Sequence, residues 1–155
     1  MTKSIPLTQG KFALVDDEDF KKLNKYKWHL NNIYAERTTW PEHKHVYMHR
    51  YIMTAKAGQE VDHINGNKLD NRKENLRLAS HSQNCKNQAK PKNNTSGYKG
   101  VTKNKAGNNW IAQIKTNGKH LSLGRFENIQ DAARAYDNAA RKYFGEFAKL
   151  NFPDV

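Results

Sequence analysis

Residues 86–98, KNQAKPKNNTSGY, hold Pro91, Gly97 and a run of Asn, Lys, Ser and Thr with almost nothing apolar. Such a segment cannot bury enough surface to offset the entropy lost on ordering it. Whatever folds must therefore be completed separately on either side. An apolar content of 36% over 155 residues suits two modest cores better than one large one. The expected organisation is a module over 1–88, a linker over 89–97 and a second module over 98–155.

Charge is divided as unevenly as the apolar residues. The net formal charge is +12, of which residues 1–60 contribute +3 and residues 61–155 contribute +9. Between Asn75 and Phe126 there are ten Lys and Arg residues and no Asp or Glu. A stretch like that suits a polyanion, because each neutralised phosphate releases counterions. Cys85 is the sole cysteine, which excludes an intrachain disulfide framework and any zinc site built on two or four cysteines. It is expected to pack against a helix. No stretch approaches 18 apolar residues and the start lacks the apolar core of a secretion signal, so a cytoplasmic protein without a membrane partner is expected.

In the first half, residues 5–15 (IPLTQGKFALV) spell two short strands around Gln9-Gly10, and DDEDF can open a short helix. NIYAERTTW and HVYMHRYIM are rich in aromatic and β-branched residues and are expected as strands, the second turning helical near His49. EVDHI, an Asn- and Gly-rich loop, ENLRLA and SHSQNCKNQ then predict a hairpin followed by a helix, which brings Asp62, His63 and Asn84 together. Oxygen donors from Asp62 and the Asn84 amide suit a hard divalent cation. A neutral imidazole at His63 can take a proton from an attacking water. Both neighbours can face one phosphate only if the strand bulges or ends there. Asn75, on the returning strand, can hold the loop through its backbone groups.

Taken together, VYMHRYIM and VDHINGNKLDNRKENLRLASHSQN resemble the HNH endonuclease family, in the variant whose last motif residue is asparagine, found in phage and intron-encoded homing endonucleases. The resemblance spans about residues 46–88. It implies a ββα-metal module, with Asp62 and Asn84 holding one Mg²⁺ or Mn²⁺, His63 as general base and Asn75 as the structural asparagine. His81 is the alternative for the last motif position. Arg50, in the His49-Arg50 pair ahead of the motif, is a candidate phosphate contact.

Beyond the linker, GYKGVTK, NWIAQIKT and KHLSLGRF predict three strands, the last two joined by a tight Asn117-Gly118 turn. From Asn128 the period becomes helical through Ala132, Ala133, Tyr136, Ala140 and Phe144, with Asn128 as cap and Gly145 as stop. The predicted fold class is α+β: a ββα nuclease module, then a three-stranded antiparallel sheet backed by one helix. The words YKGV, WIAQI, LGRF, AARAYDNAA and LNFP resemble the plant ethylene-response-factor DNA-binding domain, across residues 96–153. That resemblance implies sheet residues on DNA, at Lys99, Thr102, Asn104, Lys115, His120, Ser122 and Arg125, with Trp110 in the core. Lysine at an arginine position reads guanine less well, so the plant family's GC-rich preference is not carried over.

The expected function is a metal-dependent endonuclease acting on double-stranded DNA, a homing enzyme of phage or mobile-element type. It is expected as a monomer on DNA, with a dimer as the alternative, in the cytoplasm of a bacterium or phage-infected host. The rival is a DNA-binding regulator whose nuclease module is inactive.

Overall fold

In the computed structural model, which describes residues 1–153, the chain divides into two compact units, Met1–Asn84 and a second that begins at Cys85. The first opens with an antiparallel pair, β1 (Thr2–Pro6) and β2 (Phe12–Asp16), joined by a single 3-10 turn at Thr8–Gly10. α1 (Asp17–Leu23) follows with three acidic residues in its first turn, where they complement the helix dipole. β3 (His29–Asn31), β4 (Tyr34–Thr38) and β5 (His45–Tyr47) form a second antiparallel sheet. The run VYMHRYIM leaves the strand at Tyr47 and becomes α2 (Met48–Ile52). β6 (Glu60–His63) and β7 (Leu76–Ala79) then pair antiparallel, and α3 (His81–Lys86) completes a ββα unit.

What supports this hairpin comes from the N-terminal half. Val61 and Leu76 join Ile5, Ala13, Val15, Leu23, Trp28, Ala35, Met48 and Ile52 in one core. Leu14 extends the bracing to the loop between the strands, donating its N–H to Leu69 O and accepting from Asn71 N, both at 2.8 Å. The Asp16 carboxylate accepts from Lys73 N at 2.8 Å. The loop between β6 and β7 is thus pinned from outside the motif that contains it.

In the second unit, β8 (Val101–Lys103), β9 (Trp110–Thr116) and β10 (Lys119–Phe126) form an antiparallel sheet with β9 in the centre. The β9–β10 turn is closed by Asn117 and Gly118, both at positive φ (49° and 76°), the conformation that a type I′ turn demands. α4 (Ile129–Phe144) is capped by the Asn128 side chain, which accepts from Gln130 N at 2.7 Å. Its alanine face, Ala132, Ala133, Ala139 and Ala140, lets it lie close on Val101, Ala112 and Ile114. The approach is so close that a Cβ on Gly100, itself at φ +75°, would sit 1.9 Å from the Tyr136 ring. Asp137, which the sequence does not single out, is buried and accepts from Asn151 N and Phe152 N at 2.8 Å, tying the chain after α4 back onto the helix.

Residues 87–100 contain no helix or strand. Their polar side chains supply local order where a core is lacking: Asn94 Oδ1 accepts from Gly97 N at 2.7 Å, and Ser96 Oγ donates to Val101 O at 2.7 Å. Cys85 is exposed rather than packed as expected, since α3 is a short helix with no buried residue. No helix among the described residues is long and apolar enough to cross a membrane.

Candidate active site

β6 ends at His63, the last of its four residues. Asp62 lies opposite Arg77 across the hairpin and His63 opposite Leu76. The Asp62 carboxylate is buried, and its Oδ2 accepts from Arg77 Nε at 3.0 Å and Nη2 at 2.8 Å. Arg77 thus supplies a counter-charge that the sequence reading did not assign to it.

His63 is fully enclosed. Its Nε2 lies 3.3 Å from Asn71 Oδ1, while Asn71 Nδ2 donates to Leu69 O at 3.3 Å. A backbone carbonyl can only accept, so the Asn71 amide must turn its nitrogen to Leu69 and its oxygen to His63. Nε2 of His63 therefore carries the hydrogen, and the lone pair is on Nδ1. Burial pushes the imidazole down to about 4, partly offset by the Asn71 bond, so the ring is neutral near pH 7. In sequence Asn71 is one of several closely spaced asparagines, with Asn65, Asn67 and Asn75, and nothing there marks it as the partner of His63.

Asn75 ties the loop together: its Oδ1 accepts from Asn65 N at 2.9 Å and its Nδ2 donates to Asp70 O at 2.8 Å. The loop is further held by Asp70, whose carboxylate pairs with Arg72 and accepts from Asn65 Nδ2 at 2.9 Å.

His49 stands against His63, ring centroids 5.1 Å apart and edge to face, with Tyr34 and Tyr47 completing an aromatic layer. Burial, reinforced by His63, pushes the His49 imidazole down to about 3, so it too is neutral. Beside this layer opens a cleft of about 300 Å³ lined by Tyr34, Tyr47, His49, Arg50, Glu60, Val61 and Asn84. Asn84 reaches it from α3, donating Nδ2 to Glu60 Oε2 at 2.6 Å, and His81 Nδ1 lies 2.7 Å from Glu60 Oε1. These two bonds, with Asn84 the stronger, hold the Glu60 carboxyl below the usual carboxylate range. Among the described residues, no three His, Cys, Asp or Glu side chains are gathered as a metal cluster. Asp62 and Asn84 each carry an oxygen donor of the kind a hard divalent cation takes, Asn84 lining the cleft and Asp62 bonded to Arg77.

Two expected DNA contacts are otherwise engaged. Arg50 spends its guanidinium on backbone carbonyls of Ala55, Lys56 and Gln59, stapling α2 to the following turn. Lys99 donates Nζ to Lys86 O at 2.7 Å and Gln88 O at 2.6 Å, and burial lowers its ammonium to about 8. Arg50 is held by these bonds while half-exposed beside the cleft, and Lys99 is half-buried. Asn104 likewise closes its own turn, donating to Asn109 Oδ1 at 2.7 Å and accepting from Ala106 N at 3.2 Å.

The remaining candidates share one face. Cross-strand partners point the same way, and the register pairs Thr102 with Ile111, Ile111 with Arg125, Gln113 with Ser122, and Lys115 with His120. Their neighbours Val101, Ala112 and Ile114 face α4. Thr102, Lys115, His120, Ser122 and Arg125 therefore lie on the sheet face away from the helix, and all five are exposed. Trp110 packs against the core, as the residue pattern implies.

Residues 46–86 match the HNH endonuclease family model and residues 96–146 match the AP2 domain model. The chain is 34% identical to an uncharacterized HNH endonuclease of Acanthamoeba polyphaga mimivirus, across 92% of this chain and 76% of the relative. The chain belongs to the HNH endonuclease family. This endonuclease is also 35% identical to protein 3.8 of Escherichia phage T7, across 60% of its own length and 76% of the phage protein. It is also 39% identical to dehydration-responsive element-binding protein 2D of Arabidopsis thaliana, across 54% of this chain and 42% of the plant protein. An HNH nuclease domain, of a family that generally cleaves phosphodiesters with a metal, is thus followed by an AP2-type DNA-binding domain.

Proposed function

We propose that this HNH endonuclease hydrolyses phosphodiester bonds of duplex DNA, using His63 as general base, Asp62 and Asn84 as ligands of one Mg²⁺ or Mn²⁺, and Asn75 as the residue that stiffens the loop. The observation that carries this is the ββα hairpin itself, which ends one strand on Asp62-His63 and bonds that strand, through Glu60, to Asn84. Nδ1 of His63 accepts the proton of the attacking water. Asn71 holds the ring in the tautomer that leaves this nitrogen basic. When bound, the divalent ion supplies positive charge to the phosphate and the leaving 3′ oxygen. His63 is enclosed in the free protein, so it meets its water once a bound strand displaces the Tyr34 and His49 layer.

On the second unit, Thr102, Lys115, His120, Ser122 and Arg125 rest on the duplex, a sheet being able to enter a major groove. One catalytic set per chain makes a monomer a nicking enzyme. Relatives encoded by a mimivirus and a phage support a homing or mobile-element role in the cytoplasm of a host cell.

The test is cleavage of supercoiled plasmid with Mg²⁺, with Mn²⁺ and with EDTA. Nicking that requires metal is expected; a folded protein that binds DNA and never cuts it would favour the binding-only alternative. Changing Lys115 and Arg125 together to glutamine should lower the slope of log affinity against log salt by about 2, near 0.9 for each lost phosphate contact. Lys99→Met should leave that slope unchanged, and a lowered slope there would return Lys99 to the interface.

A further inference from the structure

Glu60 has no place in the family motif as read from the sequence, yet it is the residue that joins the Asp62 strand to Asn84. It sits two positions before Asp62, on the same face of β6. Its carboxylate takes Asn84 Nδ2 on one oxygen and His81 Nδ1 on the other. An amide side chain has two ends of nearly equal size, one donating and one accepting, and can present either. An ionised carboxylate only accepts. Bonded to Glu60, Asn84 must therefore turn its nitrogen to the strand, which leaves its oxygen as the end it can offer a cation. Resting on the assignment of Asn84 as a metal ligand, we propose that Glu60 is a positioning residue that selects the oxygen-presenting rotamer of Asn84, with His81 steadying Glu60 from its other oxygen.

This gives His81 a task different from that of a ligand. It is exposed and bonded to the Glu60 carboxylate, so the two candidates for the last motif position take separate roles in this proposal: Asn84 toward the metal, His81 behind Glu60.

Glu60→Gln tests the idea with little change of shape. Glutamine can offer Asn84 either a donor or an acceptor, so the amide is no longer held in one sense. Mn²⁺ binding to the full chain, followed by electron paramagnetic resonance without DNA, should weaken about 10- to 100-fold, the range seen when a partner of a metal ligand is removed. Cleavage should recover at saturating Mn²⁺, DNA affinity in EDTA should stay as in the wild type, and thermal unfolding should be little changed. Glu60→Asp, which keeps an acceptor-only group, should retain more Mn²⁺ affinity than Glu60→Gln. Asn84→Ala serves as the reference. If it loses Mn²⁺ while Glu60→Gln binds as tightly as wild type, the positioning role is wrong and the ligand assignment stands. If Asn84→Ala itself keeps full Mn²⁺ affinity, the ligand assignment fails and the positioning role falls with it.

Discussion

Replacing His63 with alanine is expected to slow plasmid nicking about 100- to 10,000-fold, the contribution of a well-placed general base. DNA affinity in EDTA should change less than twofold, because the five exposed sheet candidates lie in the second unit. The ring is fully enclosed against Tyr34, His49 and Asn71, so its removal also leaves a cavity. A melting curve taken beside the kinetics separates unfolding from lost chemistry. His49→Ala is the informative companion. His49 lines the cleft that His63 only adjoins. Were cutting to survive in His63→Ala and vanish in His49→Ala, the proton acceptor would be the imidazole at the cleft, and His63 its support.

Asp62→Asn should abolish metal-dependent cutting to a similar degree, and it carries a second effect that His63→Ala does not. Asp62 is the counter-charge of Arg77, whose side chain is only 12% exposed. Removing the negative partner leaves a mostly buried cation, at a cost of about 3 kcal/mol. The single variant should therefore be both inactive and less stable. Adding Arg77→Gln should restore most of the stability, since the cation that lost its carboxylate is gone, and none of the cleavage. Plasmid nicking restored in the double variant would show that Asp62 matters only through Arg77, and would remove it from the metal site.

The two modules and most of their elements were legible because their signals are local. The Asn117-Gly118 turn, the Asn128 cap and the alanine spacing of α4 each act within a few residues. The hairpin was legible for the same reason. What sequence could not show were partnerships set by pairing across strands or loops. Arg77 reads as one more basic residue until the β6–β7 register sets it against Asp62. Lys99 and Arg50 read as phosphate contacts in sequence, where nothing records that each also bonds to backbone carbonyls of a neighbouring turn. Glu60 and Asn71 are invisible for a subtler reason: each acts by forcing a neighbouring amide or imidazole into one of two nearly identical orientations, and nothing in residue type records that choice.

The bridge from Leu14 to the β6–β7 loop bears on how much of the chain the hairpin needs in order to fold. The family match begins at residue 46, yet the loop that carries Asn71 is bonded to Leu14 and Asp16, and the core beneath Val61 and Leu76 is largely built from Ile5, Ala13, Val15, Leu23 and Trp28. A fragment cut to the matched motif would keep Asp62, His63 and Asn84 but lose the strands that brace the hairpin. The smallest piece able to hold the ββα hairpin in shape is therefore larger than the motif by which the family is recognised, and its support reaches back to the first two strands.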